Sequence, residues 1–163
     1  MAKKVGIETK YINPFLTSTI NVFKTMINIM PRLGEPFLER ELELHGEVAV
    51  ALIGIAGEVK GNVNLIMQKE LALVVASKLI GQPMTELNND VCDALGEITN
   101  MIVGGAKKFF AERDESFKIA VPTVVTGTIK EIYHEPTIPS LYLPFILTEG
   151  TFYLETCLIK EAK

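Results

Sequence analysis

The chain has 163 residues, of which 48% are apolar and 22% are charged, and its net charge is −4. This composition is typical of a globular protein, and we expect one domain over residues 1–163, with residues 1–10 as a loose lead-in. The negative charge argues against nucleic acid as a partner. Because the sequence has neither a long apolar run nor a secretory signal, we expect a cytoplasmic protein without membrane contact.

The first predicted elements are a helix followed by strands. Apolar residues at helical spacing predict a helix over residues 13–30, with Asn13 as its N-cap and Pro14 in its first turn. Alternating apolar and polar residues predict a strand in FLERELEL (37–44). The β-branched run that follows is bounded by glycines and predicts a hairpin over residues 47–67.

The remaining elements give the fold class. A helix is predicted over residues 69–81, and a second one capped by Asp90 runs to about Phe110. From Lys118 onward the chain is rich in strands and closes with a hairpin at a Glu-Gly turn. Each long hairpin has a helix before it, which suggests two related halves. We therefore expect a two-layer α+β fold with long helices on one face of an antiparallel or mixed sheet.

The helix of DALGEITNMIVGG (93–105) has one polar stripe. At about 100° per residue, its members lie within about 60° of one another: Asp93, Glu97, Asn100 and Gly104. The opposite side is apolar and consists of Leu95, Ile98, Ile102, Ala106 and Phe109. A solvated face explains the acids, but an exposed glycine is about 1 kcal/mol worse than alanine in a helix. The glycine indicates that another surface comes close.

This motif, followed at a distance by Pro122 in AVPTVVTG, resembles the signature of the CheC, CheX and FliY family of bacterial chemotaxis phosphatases. The signature has an acid or serine, then Glu, Asn and a distant proline, and the likeness extends over nearly the whole chain. The CheC type carries a second Glu and Asn pair on its first helix. Here Asn21 and Asn28 lack a Glu three residues before them. A single site is therefore expected, and the chain is most similar to the CheX type.

The resemblance implies a phosphatase that hydrolyses the aspartyl-phosphate of a CheY-type response regulator. Asn100 would position the attacking water, and Glu97 would pair with the regulator's active-site lysine, so these two are the expected catalytic residues. Asp93, Gly104 and Pro122 would contact the partner. No cofactor of the chain's own is expected, and any Mg²⁺ would belong to the regulator, since the stripe offers few oxygen ligands. The alternative is a non-catalytic interaction or scaffold module of a chemotaxis or flagellar-switch assembly.

Other reactive side chains are expected to be structural. Cys92 and Cys157 lie among apolar neighbours without a CxxC spacing, so we expect core thiols. His45 and His134 are distant in sequence and have no metal-ligand spacing, so no metal site is expected.

The assembly is predicted from the strands. Alternating strands such as FLERELEL and TFYLETCL can leave an unpaired sheet edge, which proteins often bury against another copy. The CheX type pairs through its sheets. We therefore expect a homodimer in which the two Asn100 stripes face outward.

Overall fold

The computed structural model describes residues 9–39, 42–133 and 140–160. Within them the helices are α1 (Thr9–Val22), α2 (Lys69–Ile80) and α3 (Asn89–Ala111), and a π-helical turn, Phe23–Ile27, continues α1. The strands are β1 (Arg32–Leu33), β2 (Phe37–Glu39), β3 (Glu47–Gly57), β4 (Val59–Gln68), β5 (Phe117–Ile119), β6 (Thr123–Thr128), β7 (Ser140–Leu147) and β8 (Gly150–Lys160).

The strands form one antiparallel sheet in the order β1-β7-β8-β4-β3-β5, with β2 also paired to β7 and β6 also paired to β3. The predicted hairpin over residues 47–67 is confirmed as β3–β4, and the predicted C-terminal hairpin is confirmed as β7–β8. These two hairpins lie side by side in the middle of the sheet because β4 pairs with β8.

Two related halves make up this sheet, as the sequence predicted. Each half runs from a helix through two short strands to a long hairpin, and its short strands pair with the hairpin of the other half. A hydrogen bond recurs at equivalent places: the Gly34 N–H donates to Pro144 O at 2.7 Å, and the Ala120 N–H donates to Gly54 O at 2.9 Å. The halves therefore share backbone geometry as well as element order.

The helices cover one face of the sheet, which confirms the α+β two-layer prediction. Side chains alternate along the strands, and the set that points to the helices forms the main core with them, as at Phe145 and Phe152. A smaller apolar cluster lies on the opposite face around Tyr142 and Ile66. Among the described residues, no helix is long and apolar enough to span a membrane.

The first helix differs from its prediction at both ends. It includes Thr9 and Lys10, so Asn13 is not its N-cap and Pro14 lies inside it. Proline cannot donate the N–H that would normally bond the carbonyl four residues earlier. Arg113 compensates, because its Nη2 donates to Lys10 O at 2.8 Å. The helical segment ends at Ile27, three residues before the predicted end, since the next residue has a left-handed φ of 59°.

The strand predictions need three corrections. FLERELEL forms a strand only over Phe37–Glu39; residues 42–45 are not in a strand, and residues 40–41 lie outside the described chain. TFYLETCL is not a sheet edge, because β8 pairs with both β7 and β4. The strand-rich segment predicted from Lys118 contains β5 and β6 but no strand over residues 129–133.

Candidate functional site

The site is built on α3, whose N-terminus is set by an asparagine. Asn88 has an extended backbone, and its Oδ1 accepts a hydrogen bond from the Val91 N–H at 3.0 Å. Asp90 already lies within the first turn, so its prediction as the cap was wrong. Asp90 instead places a negative charge near the positive end of the helix dipole, which is favourable.

The apolar side of α3 matches the prediction except at one residue. Leu95, Ile98, Ile102 and Ala106 are buried, whereas Phe109 is 36% exposed. The neighbouring Phe110 is fully buried instead and packs against three aromatic rings of α1 and β5, those of Tyr11, Phe15 and Phe117. This aromatic cluster decides which of the two phenylalanines turns inward, and the prediction of a buried Phe109 was wrong.

The polar stripe of α3 is open to solvent. Asp93, Glu97 and Asn100 are exposed, and the residues between them are more deeply buried. Within the described part of the chain, the Glu97 and Asn100 side chains make no hydrogen bond or ion pair. The stripe therefore presents an acid and an amide, one turn apart, whose polar atoms are available to a partner.

The two glycines at the end of the motif have different surroundings. No described atom outside the helix's own neighbouring backbone lies within 4 Å of a Cβ built on Gly104. A Cβ built on Gly105 would instead collide with Ser18 of α1, whose Oγ donates to Ile102 O at 2.6 Å. Gly105 is therefore required by the contact between α1 and α3. The fold places no such restriction on Gly104, which lies in line with the acid and the amide.

The structure brings Pro122 against this helix. A Cβ built on the buried Gly96 would lie 3.6 Å from Pro122 Cγ, so the proline packs beside the residue that precedes Glu97. Pro122 itself lies in the segment between β5 and β6 rather than at the start of a strand. The sequence reasoning missed Gly96, although a glycine on the apolar side of a helix is a signal of close packing.

The cysteines and histidines do not extend the site. Cys157 is buried and Cys92 is partly buried, and the two cysteines do not form a disulfide. Burial and the neighbouring Asp93 carboxylate raise the pKa of Cys92, which lowers its thiolate fraction. His45 is exposed, and His134 lies outside the described residues. Among the described residues, no group of three or more potential metal ligands comes together.

The helix of the first half, α1, has no acidic residue that corresponds to Glu97 of α3. No aspartate or glutamate occurs between Thr9 and Ile27, although Asn21 is exposed on α1. Thr19 and Thr99 occupy similar places, because each hydroxyl donates to the carbonyl four residues before it, at 2.7 Å in both helices. With these threonines aligned, Thr17 stands at the place of Glu97. The paired acid and amide thus belong to α3 alone among the described helices.

Comparison with known proteins identifies the family. The model of the chemotaxis phosphatase CheX family matches residues 49–146. A Thermotoga maritima protein named CheY-P phosphatase CheX is 26% identical over 122 residues, which cover 74% of this chain and 78% of that protein. The crystal structure of a CheC-like superfamily protein from Shewanella sp. PV-4 has a TM-score of 0.85 and 34% identity, and the match covers 94% of this chain and 99% of that chain.

A third relative was solved in a complex. The crystal structure of the CheX–CheY–BeF3–Mg²⁺ complex from Borrelia burgdorferi contains a chain that matches with a TM-score of 0.74 and 25% identity, over 92% of this chain and 98% of that chain. The family model spans more than half of the sequence and includes α3 and Pro122. The chain therefore belongs to the CheX family of chemotaxis phosphatases.

Proposed function

We propose that this protein hydrolyses the aspartyl-phosphate of a phosphorylated CheY-type response regulator. The observation that carries the proposal is the exposed pair of Glu97 and Asn100 on α3, whose polar atoms are available to a partner. Family membership supports the reaction, since a relative is named CheY-P phosphatase, and another relative was crystallised with CheY.

Asn100 is the proposed water-positioning residue. Phosphoryl transfer passes through a loose transition state, in which alignment of the attacking water and neutralisation of charge matter more than a strong base. A neutral amide suits this task, because it offers both a donor and an acceptor without adding negative charge near the phosphoryl group. Asn100 is exposed on a regular helix, a rigid element that fixes the direction of its Cα–Cβ bond.

Glu97 is the proposed docking residue. Its carboxylate lies one turn before Asn100 and is exposed, so it can form a charge-assisted hydrogen bond with a lysine of the regulator. Such a bond fixes the helix in register and brings the amide to the phosphoryl group. Gly104, which has open space where a side chain would be, allows the regulator's surface to approach the helix.

Asp93 and Pro122 complete the proposed contact surface. Asp93 is exposed one turn before Glu97, and Pro122 packs on Gly96 at the side of the helix. We assign no chemical step to either residue. Mg²⁺ is proposed to belong to the regulator, because it prefers a cluster of oxygen ligands and the stripe supplies only two carboxylates, one turn apart. The cytoplasmic location predicted from the sequence stays a prediction.

The reaction is tested with a panel of purified, phosphorylated response regulators from the same cell. We expect the protein to accelerate loss of phosphate from at least one of them by well over tenfold relative to its spontaneous hydrolysis. If the protein binds a regulator without accelerating dephosphorylation of any, the activity is refuted and the non-catalytic interaction module replaces it.

A homodimer remains part of the proposal. β8 is an interior strand, so pairing must use one of the two ends of the sheet. At one end, β6 pairs with β3 alone among the described strands, and Val125 on it is 44% exposed. An edge strand of this kind, paired on one side only, is a site for pairing with another chain. Sedimentation at micromolar concentration should give twice the monomer mass, and a monomeric mass would contradict the dimer.

A further inference from the structure

An exposed valine stands next to the acid and amide stripe. This residue, Val121, is 86% exposed and lies in residues 120–122, which join β5 to β6 and are called the second connector. Both neighbours of Val121 are fixed: the Ala120 N–H donates to Gly54 O at 2.9 Å, and Pro122 packs against Gly96 of α3. The valine is therefore held outward by an anchored backbone.

The other half of the fold shows that this backbone does not require a valine. The first connector, residues 34–36, joins β1 to β2, and its Gly34 N–H donates to Pro144 O at 2.7 Å. It also ends in a proline, Pro36. At the middle position, where the second connector has Val121, the first has the exposed Glu35. A charged residue is thus compatible with the same local structure, and it would be better solvated there than a valine.

The difference between the connectors matches the difference between the helices. The second connector, with Val121, comes after α3, which carries Glu97 and Asn100. The first connector, with Glu35, comes after α1, which carries no acid. Pro122 lies against the residue before Glu97, so Val121 stands at the margin of the same surface. The exposed apolar side chain therefore occurs on the side of the molecule where a partner is proposed to bind.

We infer that Val121 is an apolar contact for the phosphorylated response regulator and helps to position it on α3. The inference rests on the proposed function and adds a residue that lies outside the helix. A valine is stiff at χ1 and its backbone is anchored, so binding orders few additional degrees of freedom. Burial of an exposed valine side chain corresponds to roughly a tenfold or greater gain in affinity.

The test compares two substitutions at matched positions in the intact protein. Val121→Glu should raise KM for the phosphorylated regulator by about tenfold while kcat stays within about twofold, because the residue contacts the partner and not the reacting atoms. Glu35→Val, the matched control, should leave both constants unchanged. Val121→Ala should raise KM by a smaller factor. The melting temperatures of all three should match the parent, since Glu35 shows that the connector accepts a glutamate.

Binding is also measured without turnover, by titration of the regulator activated with BeF3⁻ and Mg²⁺. If the parent protein binds this regulator but does not hydrolyse its phosphorylated form, the proposed activity is refuted. The binding measurement still tests Val121, because Val121→Glu should then weaken binding about tenfold. Parent-like KM and affinity in Val121→Glu would overturn the inference even if the phosphatase activity is present. The inference would also be overturned if Val121→Glu converts a dimer to a monomer and leaves the affinity of each subunit for the regulator unchanged. Val121 would then contact a second copy of the chain.

Discussion

Gly104 and Gly105 are adjacent in sequence, yet their replacement by alanine should change stability in opposite directions. A Cβ on Gly104 meets open space, so Gly104→Ala should gain most of the difference in helix propensity, about 1 kcal/mol. A Cβ on Gly105 would displace Ser18, whose Cβ would lie only 3.2 Å away. The same propensity gain is then outweighed by overpacking of about 1–3 kcal/mol and by loss of a buried hydrogen bond worth about 1 kcal/mol.

We expect Gly104→Ala to raise the free energy of unfolding by about 0.5–1 kcal/mol and Gly105→Ala to lower it by about 1–3 kcal/mol. For a chain of this length, these values correspond to a rise in Tm of about 1–4 °C and a fall of about 2–12 °C. Urea unfolding followed by circular dichroism measures both. The double variant with Ser18→Ala should recover part of the loss at Gly105. If both glycines tolerate alanine equally, the proposed contact between α1 and α3 at Gly105 is wrong.

Three further predictions concern α3. Glu97→Ala should raise KM for the phosphorylated regulator by about tenfold or more with little change in kcat, because a charge-assisted bond is lost. Replacement of the exposed Glu112 by alanine should leave both constants like those of the parent, and a Glu97→Ala variant that loses only kcat would refute the docking role. In urea unfolding, Asn88→Ala should lower the free energy of unfolding by about 1 kcal/mol, and Asp90→Ala should lower it by less. A larger loss in Asp90→Ala than in Asn88→Ala would indicate that Asp90 is the N-cap. Cys92 should react with iodoacetamide at pH 8 more slowly than glutathione does, because burial and Asp93 raise the pKa of its thiol. Equal rates, measured by mass spectrometry, would contradict a partly buried thiol beside a carboxylate.

Local patterns were sufficient for the elements whose stabilising contacts are close in sequence. β-branched runs and glycines predict the hairpin of β3 and β4 and the helix α2, whose C-cap is Gly81. The structure has both elements near the predicted bounds. The polar stripe could also be predicted, since helical periodicity alone places Glu97 and Asn100 on the side opposite the core. The roles of these two residues stay predictions.

The errors occur where distant residues decide the structure. Pro14 is accommodated inside α1 because Arg113, far along the chain, donates to the carbonyl that the proline leaves without its helical partner. Phe110 rather than Phe109 turns inward because rings of α1 and β5 surround it. Val121 could not be singled out from the sequence, since its exposure and its place beside α3 depend on how β5 and β6 pair with β3.

The central claim is that Asn100 aligns the attacking water, and the most direct test is the maximal rate of dephosphorylation by Asn100→Ala at saturating regulator. The claim predicts a rate reduced by about a hundredfold or more, with regulator binding nearly unchanged and a slightly higher Tm, since alanine is the better helix former. Asn100→Asp should recover little activity, because it brings negative charge to the phosphoryl group. An alanine variant that dephosphorylates the regulator as fast as the parent would contradict the claim.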